Sequence, residues 1–330
     1  MTRPWPPASA SGIGSMPGTD PAEAMRVVLG ELPELPFLPE LPARGPHGDL
    51  TGRTAALLAD LHADLQPSGW RISARPGRDI RRARDLLARD LDALEEAQAH
   101  PTLFKLQVAG PWTLAATIEL TRGDRLLADP AAVADLADSL AEGLSAHVAD
   151  VSRRLPGATV LVQLDEPALP AVLAAQIPTA SGYGRLRAPD QTTATDRLRT
   201  VLDVATETVV HCCASAPPVA LLRGAGAGAV SLDAAVLTER DDDAIGAALE
   251  GGAGLLLGLV PGVDADLSDL TSRMEPVRAL WRRLGFGPEM LPAAVVITPS
   301  CGLAGASPAY ARRALAACAE IARRLGEQPE

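Results

Sequence analysis

The chain has 330 residues, of which 47% are hydrophobic, 22% charged and 3% aromatic; this is a globular composition and excludes disordered, collagenous and disulfide-scaffold classes. With 30 Lys+Arg against 41 Asp+Glu the formal charge is −11, which opposes a nucleic-acid backbone or an anionic membrane surface and points to small-molecule chemistry. The four cysteines, Cys212, Cys213, Cys301 and Cys318, are too few for a disulfide framework and read as reduced thiols.

The opening residues, MTRPWPPASASG, lack the apolar core of a signal peptide, and no uncharged apolar stretch reaches membrane-spanning length, so a cytoplasmic protein is expected. A first strand is expected near Gly12–Ser15. The Pro-punctuated segment LPELPFLPELP (Leu32–Pro42) reads as an extended connection packed on the body of the domain. The element over residues 50–75 is indistinct. Beyond it, strands are expected at Thr102–Ala109, Thr159–Leu164, Thr208–Cys212, Ala229–Leu232, Gly254–Leu259 and Ala293–Thr298. Helices are expected at Asp79–Ala97, Pro130–Arg154, Asp190–Thr206, Asp241–Glu250, Ser268–Leu284 and Pro308–Leu325, several of them opening on an Asp or Ser cap.

Short strands apolar on both faces belong to parallel sheets covered by helices. Regular alternation of strand and helix means βα units wound in one sense. The expected fold is α/β, a single (β/α)8 TIM-type barrel over residues 1–330, with a doubly wound open sheet as its rival. The polar groups decide between them. GSMPG, AGPW, DEPA, HCCAS, LDAA and PSCGL each follow a different strand, which is how barrels collect a site, whereas an open sheet concentrates it at one switch point. No GxGxxG follows the first strand and no P-loop is present.

His211 and Cys213, two apart at a strand end, point to one side, and Cys301 closes a distant strand whose end converges on theirs in a barrel. Imidazole plus two thiolates is a zinc ligand set with a position left open for substrate; the plainer alternative is that the cysteines are small hydrophobes of the core. Asp233, at the end of the next strand, stands close enough for a fourth ligand or a hydrogen-bonding neighbour. Of the adjacent Asp165 and Glu166, one should face the barrel mouth and suit a substrate ammonium or general-acid work, the alternative being a salt bridge to an arginine. Gly12, Gly14 and Ser15 offer close backbone approach, N–H donors and a hydroxyl, which suit a carboxylate, though a plain Gly-rich turn accounts for them too. Lys105, the one lysine, is the single candidate for Schiff-base chemistry and lies inside an apolar run. An acid-binding turn, an ammonium-binding carboxylate and a thiophilic metal together describe a site for an amino-acid thiol.

In order and spacing, IGSMPGT (Ile13–Thr19), GPWTL (Gly110–Leu114), QLDEPAL (Gln163–Leu169), HCCAS (His211–Ser215), SLD (Ser231–Asp233) and TPSCGL (Thr298–Leu303) resemble the motifs of the C-terminal catalytic barrel of cobalamin-independent methionine synthase. The resemblance covers nearly the whole chain. It implies methyl transfer to the sulfur of homocysteine, with zinc holding the thiol as thiolate, and methionine as product. It places His211, Cys213 and Cys301 as zinc ligands, Asp165 on the homocysteine amino group with Glu166 beside it, and Ile13, Gly14 and Ser15 at the carboxylate. The chain departs from the family at Asp233, where the family has a glutamate ligand, and near Thr117, where it has a tryptophan of the folate site. The donor implied is methylcobalamin, a corrinoid protein or methyltetrahydrofolate, and no nucleic-acid or membrane partner is expected. Two other readings compete: a metal-free barrel like uroporphyrinogen decarboxylase, for which Arg78, Arg81, Arg82 and Arg84 are the candidate basic cluster, and a non-catalytic zinc- or thiol-binding barrel.

Overall fold

A computed structural model describes residues 3–328. Its centre is a six-stranded, wholly parallel sheet in sequential order, preceded by an antiparallel hairpin of β1 (His62–Gln66) and β2 (Gly69–Ser73). The sheet strands are β3 (Leu103–Ala109), β4 (Thr159–Asp165), β5 (Glu207–Cys212), β6 (Ala229–Asp233), β7 (Gly254–Val260) and β8 (Val295–Pro299). Each lies where the apolar runs placed it. The connecting helices agree as well: Arg78–Glu96, Pro130–Arg154, Gln191–Leu202, Asp242–Glu250, Leu270–Leu284 and Pro308–Glu327. Asp129, Asp190, Asp269 and Ser307 cap four of these through their side chains, each accepting from a first-turn N–H that the helix leaves unbonded. The indistinct region over 50–75 resolves into helix Leu50–Leu57 and the hairpin.

The expectation of eight strands is corrected at the start of the chain. No regular strand forms near Gly12–Ser15. Instead, two extended segments continue the hydrogen bonding past both edges of the sheet through single parallel bridges: Ala10 with Ile297 of β8, Ser15 with Glu40, and Phe37 with Lys105 of β3. Leu38 N–H donates to Lys105 O, and Lys105 N–H to Pro36 O, both at 2.9 Å. The Leu32–Pro42 segment is therefore hydrogen-bonded to the sheet edge rather than laid over it. A longer ladder is prevented by Pro33, Pro36, Pro39 and Pro42, which have no N–H to give it.

Successive side chains along a strand point to opposite faces, so each strand contributes to two cores. One large cluster lies between sheet and helices. The other is small and lines the inner face near the amino ends of the strands: Leu103, Leu161, Val209, Ala229, Leu256 and Val296, one from each strand. Trp5 and Leu35, from the two bridged segments, complete it. Gly254 makes room for this arrangement, since a Cβ there would stand 2.3 Å from the Trp5 ring.

Trp5→Ala should cost about 3–5 kcal/mol, as large-to-small changes at buried aromatics do, read from the urea midpoint. An unshifted midpoint would show that the amino-terminal segment does not plug the inner face.

Candidate functional site

Immediately above the apolar plug, the same inward registers turn polar. At the carboxyl ends of β5 and β8 the ligand atoms of His211, Cys213 and Cys301 lie within 4.8 Å of one another, and the two sulfurs are 3.5 Å apart. Zn–S bonds of about 2.3 Å in a tetrahedron put two thiolates about 3.8 Å apart, so the cluster has the dimensions of a single-ion site. His211 supplies the sharper test of fit. It is buried, Nδ1 shares a hydrogen bond with Ser231 Oγ at 2.9 Å, and Nε2 is buried without a partner. One ring nitrogen oriented by a neighbour and the other left unbonded is the arrangement of a metal-ligating imidazole.

The mutual hydrogen bond of the two thiols and the nearby His211 hold Cys301 below the ordinary thiol range, and the same bond pushes Cys213 above it. Cys212 turns the other way into the core, where burial raises it to about 11. Cys318 packs in the carboxyl-terminal helix, also buried. For these two cysteines the hydrophobic alternative holds.

Asp165 pairs with His211 across the β4–β5 ladder and shares its inward face. Its Oδ1 accepts from Gln163 Nε2 at 2.7 Å, and burial raises the carboxyl to about 6 against the opposing pull of His211 and Lys105. Glu166, grouped with the substrate residues by resemblance, does not join it. The alternation of the strand sends Glu166 outward, where it is wholly buried beneath helix Pro111–Thr117. There it accepts from Trp112 N–H at 2.9 Å and from Thr113 N–H and Oγ1 at 2.7 Å each. Gly110 is required by this fit, because a Cβ would fall 2.3 Å from a Glu166 oxygen.

The Ile13–Ser15 turn lies against the Cys301 loop. Leu303 N–H donates to Ser15 O at 2.8 Å, and a Cβ on Gly302 would stand 2.0 Å from Ser15 Oγ. Among the described residues no acceptor takes the N–H of Gly14 or Ser15. Ile13 O accepts twice, from Lys105 Nζ at 2.8 Å and Gln163 Nε2 at 2.9 Å. Asp233 stands outside the three-residue cluster: its carboxylate accepts from Ala235 N–H at 2.9 Å and caps the short helix Ala234–Val236. Arg78, Arg81, Arg82 and Arg84 lie on an exposed helix face, so the basic cluster of the decarboxylase alternative is not formed around the site.

Sequence reasoning missed Glu40, Gln107, Gln163 and the part played by Ser231. Glu40 is buried, accepts from Gln107 Nε2 at 3.2 Å, and lies 3.7 Å from the Arg53 guanidinium. Burial lifts its carboxyl to about 7. Gln107, Gln163 and Ser231 had a signal, being polar residues at alternate positions in apolar strands. Glu40 had none within its proline-rich segment.

A parallel α/β sheet thus carries, at the carboxyl ends of its strands, a buried carboxylate and a His/Cys/Cys cluster that could hold a metal ion. Residues 8–324 match the family described as the cobalamin-independent synthase catalytic domain, and the chain belongs to that family. No curated protein matches the sequence. Among solved structures it is similar to a B12-independent methionine synthase from Shewanella sp. W3-18-1 in complex with selenomethionine, at 12% identity and TM-score 0.59, over 97% of this chain and 98% of that one. A GH5_18 structure from Streptomyces cattleya in complex with GlcNAc aligns at 16% identity and TM-score 0.47, over 99% and 82% of the two chains. Among the described residues no helix is long and apolar enough to cross a membrane.

Two outcomes follow from these placements. Glu166→Ala leaves three buried donors unsatisfied and should cost about 3 kcal/mol, read from urea unfolding, while metal affinity changes little; the reverse pattern would return Glu166 to the site. Glu40 keeps its proton up to about pH 7 when folded but releases it near 4.5 when unfolded. The folded state thus binds the extra proton between those values, and stability should fall as pH rises through that window. Denaturation curves of Glu40→Gln across the same range should be flatter than those of the native chain.

Proposed function

We propose that this chain is a single catalytic (β/α)8 domain in which the two bridged segments serve as the first two staves, and that it forms methionine by methyl transfer to the thiol of homocysteine. The observation that carries the proposal is the His211, Cys213 and Cys301 cluster, with His211 Nε2 buried, oriented and unbonded. A zinc ion held by these three residues would bring an alkyl thiol, ordinarily titrating near 8.5, to its nucleophilic thiolate form at neutral pH. Asp233 stands beside this centre as a neighbour rather than a standing ligand.

The remaining residues bind and orient. Asp165 receives the substrate ammonium on the wall next to His211. The unclaimed N–H groups of Gly14 and Ser15, with the Ser15 hydroxyl, receive the carboxylate beside the Cys301 loop. With both ends of the amino acid fixed, the sulfur approaches the donor methyl carbon in line; the S–CH3 bond forms as the donor–CH3 bond breaks, and the leaving group keeps the electron pair. The donor is methylcobalamin, a corrinoid protein or methyltetrahydrofolate. This acceptor half is assembled from strand ends.

Protein purified without chelator should carry about one zinc per chain, and Cys301→Ser very little. In cobalt-substituted protein, added homocysteine should change the visible spectrum, and single-turnover assays with each donor should then yield methionine from one of them. Equal zinc in native and Cys301→Ser protein would sink the ligand assignment. A cobalt spectrum indifferent to homocysteine would favour a closed, non-catalytic site.

A further inference from the structure

Lys105 is the one lysine in a chain with 30 lysine and arginine residues, and it is completely buried. It sits on the inner face of β3, one inward position above Leu103 of the apolar plug and one below Gln107. Charges facing it are those of Asp165 and Glu40, and the Phe37 ring lies 5.3 Å from Nζ. Among the described residues its sole hydrogen-bond acceptor is nevertheless a backbone carbonyl, Ile13 O at 2.8 Å. A buried ammonium is costly to keep in an apolar wall, and with no exposure Nζ has no access to a carbonyl substrate. Schiff-base chemistry is therefore not its role.

The peptide that Lys105 holds is the informative feature. In a trans peptide the carbonyl and the following N–H point in opposite directions. Anchoring Ile13 O toward Lys105 and Gln163 turns the Gly14 N–H away from both. Gln163 Nε2 also donates to Asp165 Oδ1, so the same small network ties the turn to the carboxylate of β4.

We infer that Lys105 is a positioning residue for the carboxylate of the amino-acid substrate: it fixes the Ile13–Gly14 peptide so that the turn presents its N–H groups. The inference rests on the homocysteine reading above. It predicts a selective defect, confined to ligands that bear a carboxylate.

The test is calorimetric binding to zinc-loaded protein of two thiols, homocysteine and 3-aminopropane-1-thiol, which has the same amine and sulfur but no carboxylate. Lys105→Met should weaken homocysteine about 10- to 100-fold, the scale of one lost charge-assisted hydrogen bond, and leave the amine thiol within about twofold, with zinc content unchanged. Should Lys105→Met fail to fold, Lys105→Gln, which keeps a donor but not the charge, carries the same comparison. Equal losses for both thiols would reduce Lys105 to a structural role, and no loss for either would overturn the inference. If the unmutated protein bound neither thiol, the homocysteine reading itself would fall, and this inference with it.

Discussion

The pleat of the parallel strands is the constraint on which the site depends. Because every second side chain points inward, one register along each strand supplies both the floor and the chemistry. On β4 that register runs Leu161, Gln163, Asp165, and on β5 it runs Val209, His211. The first member of each series belongs to the apolar plug, and the later members are the polar groups of the cluster. A slip of one residue in either strand would exchange Asp165 with Glu166 or His211 with Cys212, removing the site and burying its charges among the helices. Register is correspondingly well fixed, by an apolar floor beneath and helices behind.

Such a site carries an electrostatic cost that the structure distributes instead of eliminating. Asp165, Glu166 and Glu40 are all deeply buried, and each carboxyl is raised above its ordinary value chiefly by loss of water. Each has a different compensation. Glu166 receives three donors from the start of one helix, Glu40 faces Arg53, and Asp165 has Gln163, His211 and Lys105 around it. Arg53 is in turn paired with Asp90, which also accepts both nitrogens of the Arg44 guanidinium fork at 2.7 and 2.8 Å. The charge inside the wall is thus linked through Arg53 and Asp90 toward the outer layer, with Lys105 a further cation buried within it.

Much of this was legible in the sequence, for reasons that also explain the gaps. Six strands were visible because both their faces are buried, which makes a short apolar run bounded by turn residues. His211 and Cys213 stood out because strand spacing puts residues two apart on one side. The two bridged segments were not legible as strands, since Gly12, Gly14 and the prolines of Leu32–Pro42 erase the ladder pattern while the chain still runs extended. Glu40 went unseen for the same reason. The choice between Asp165 and Glu166 was open because adjacent residues on a strand are equally exposed to either assignment until the register is known.

That last ambiguity reveals how site and scaffold are coupled. Asp165 faces the cluster, while Glu166 holds the helix Pro111–Thr117, and the two are one peptide apart. The Glu166 N–H donates to His211 O at 2.8 Å, and the Gly110 N–H donates to Asp165 O at 2.9 Å. The backbone of the dipeptide therefore bonds on one side to the residue carrying the imidazole and on the other to the loop that begins the helix. Side-chain exchange at Asp165 would alter the carboxylate beside the cluster without disturbing these bonds. Exchange at Glu166 would instead loosen the helix that backs the wall. Two carboxylates that look interchangeable in the sequence differ because the pleat turns one toward the cluster and the other toward the helix behind the wall.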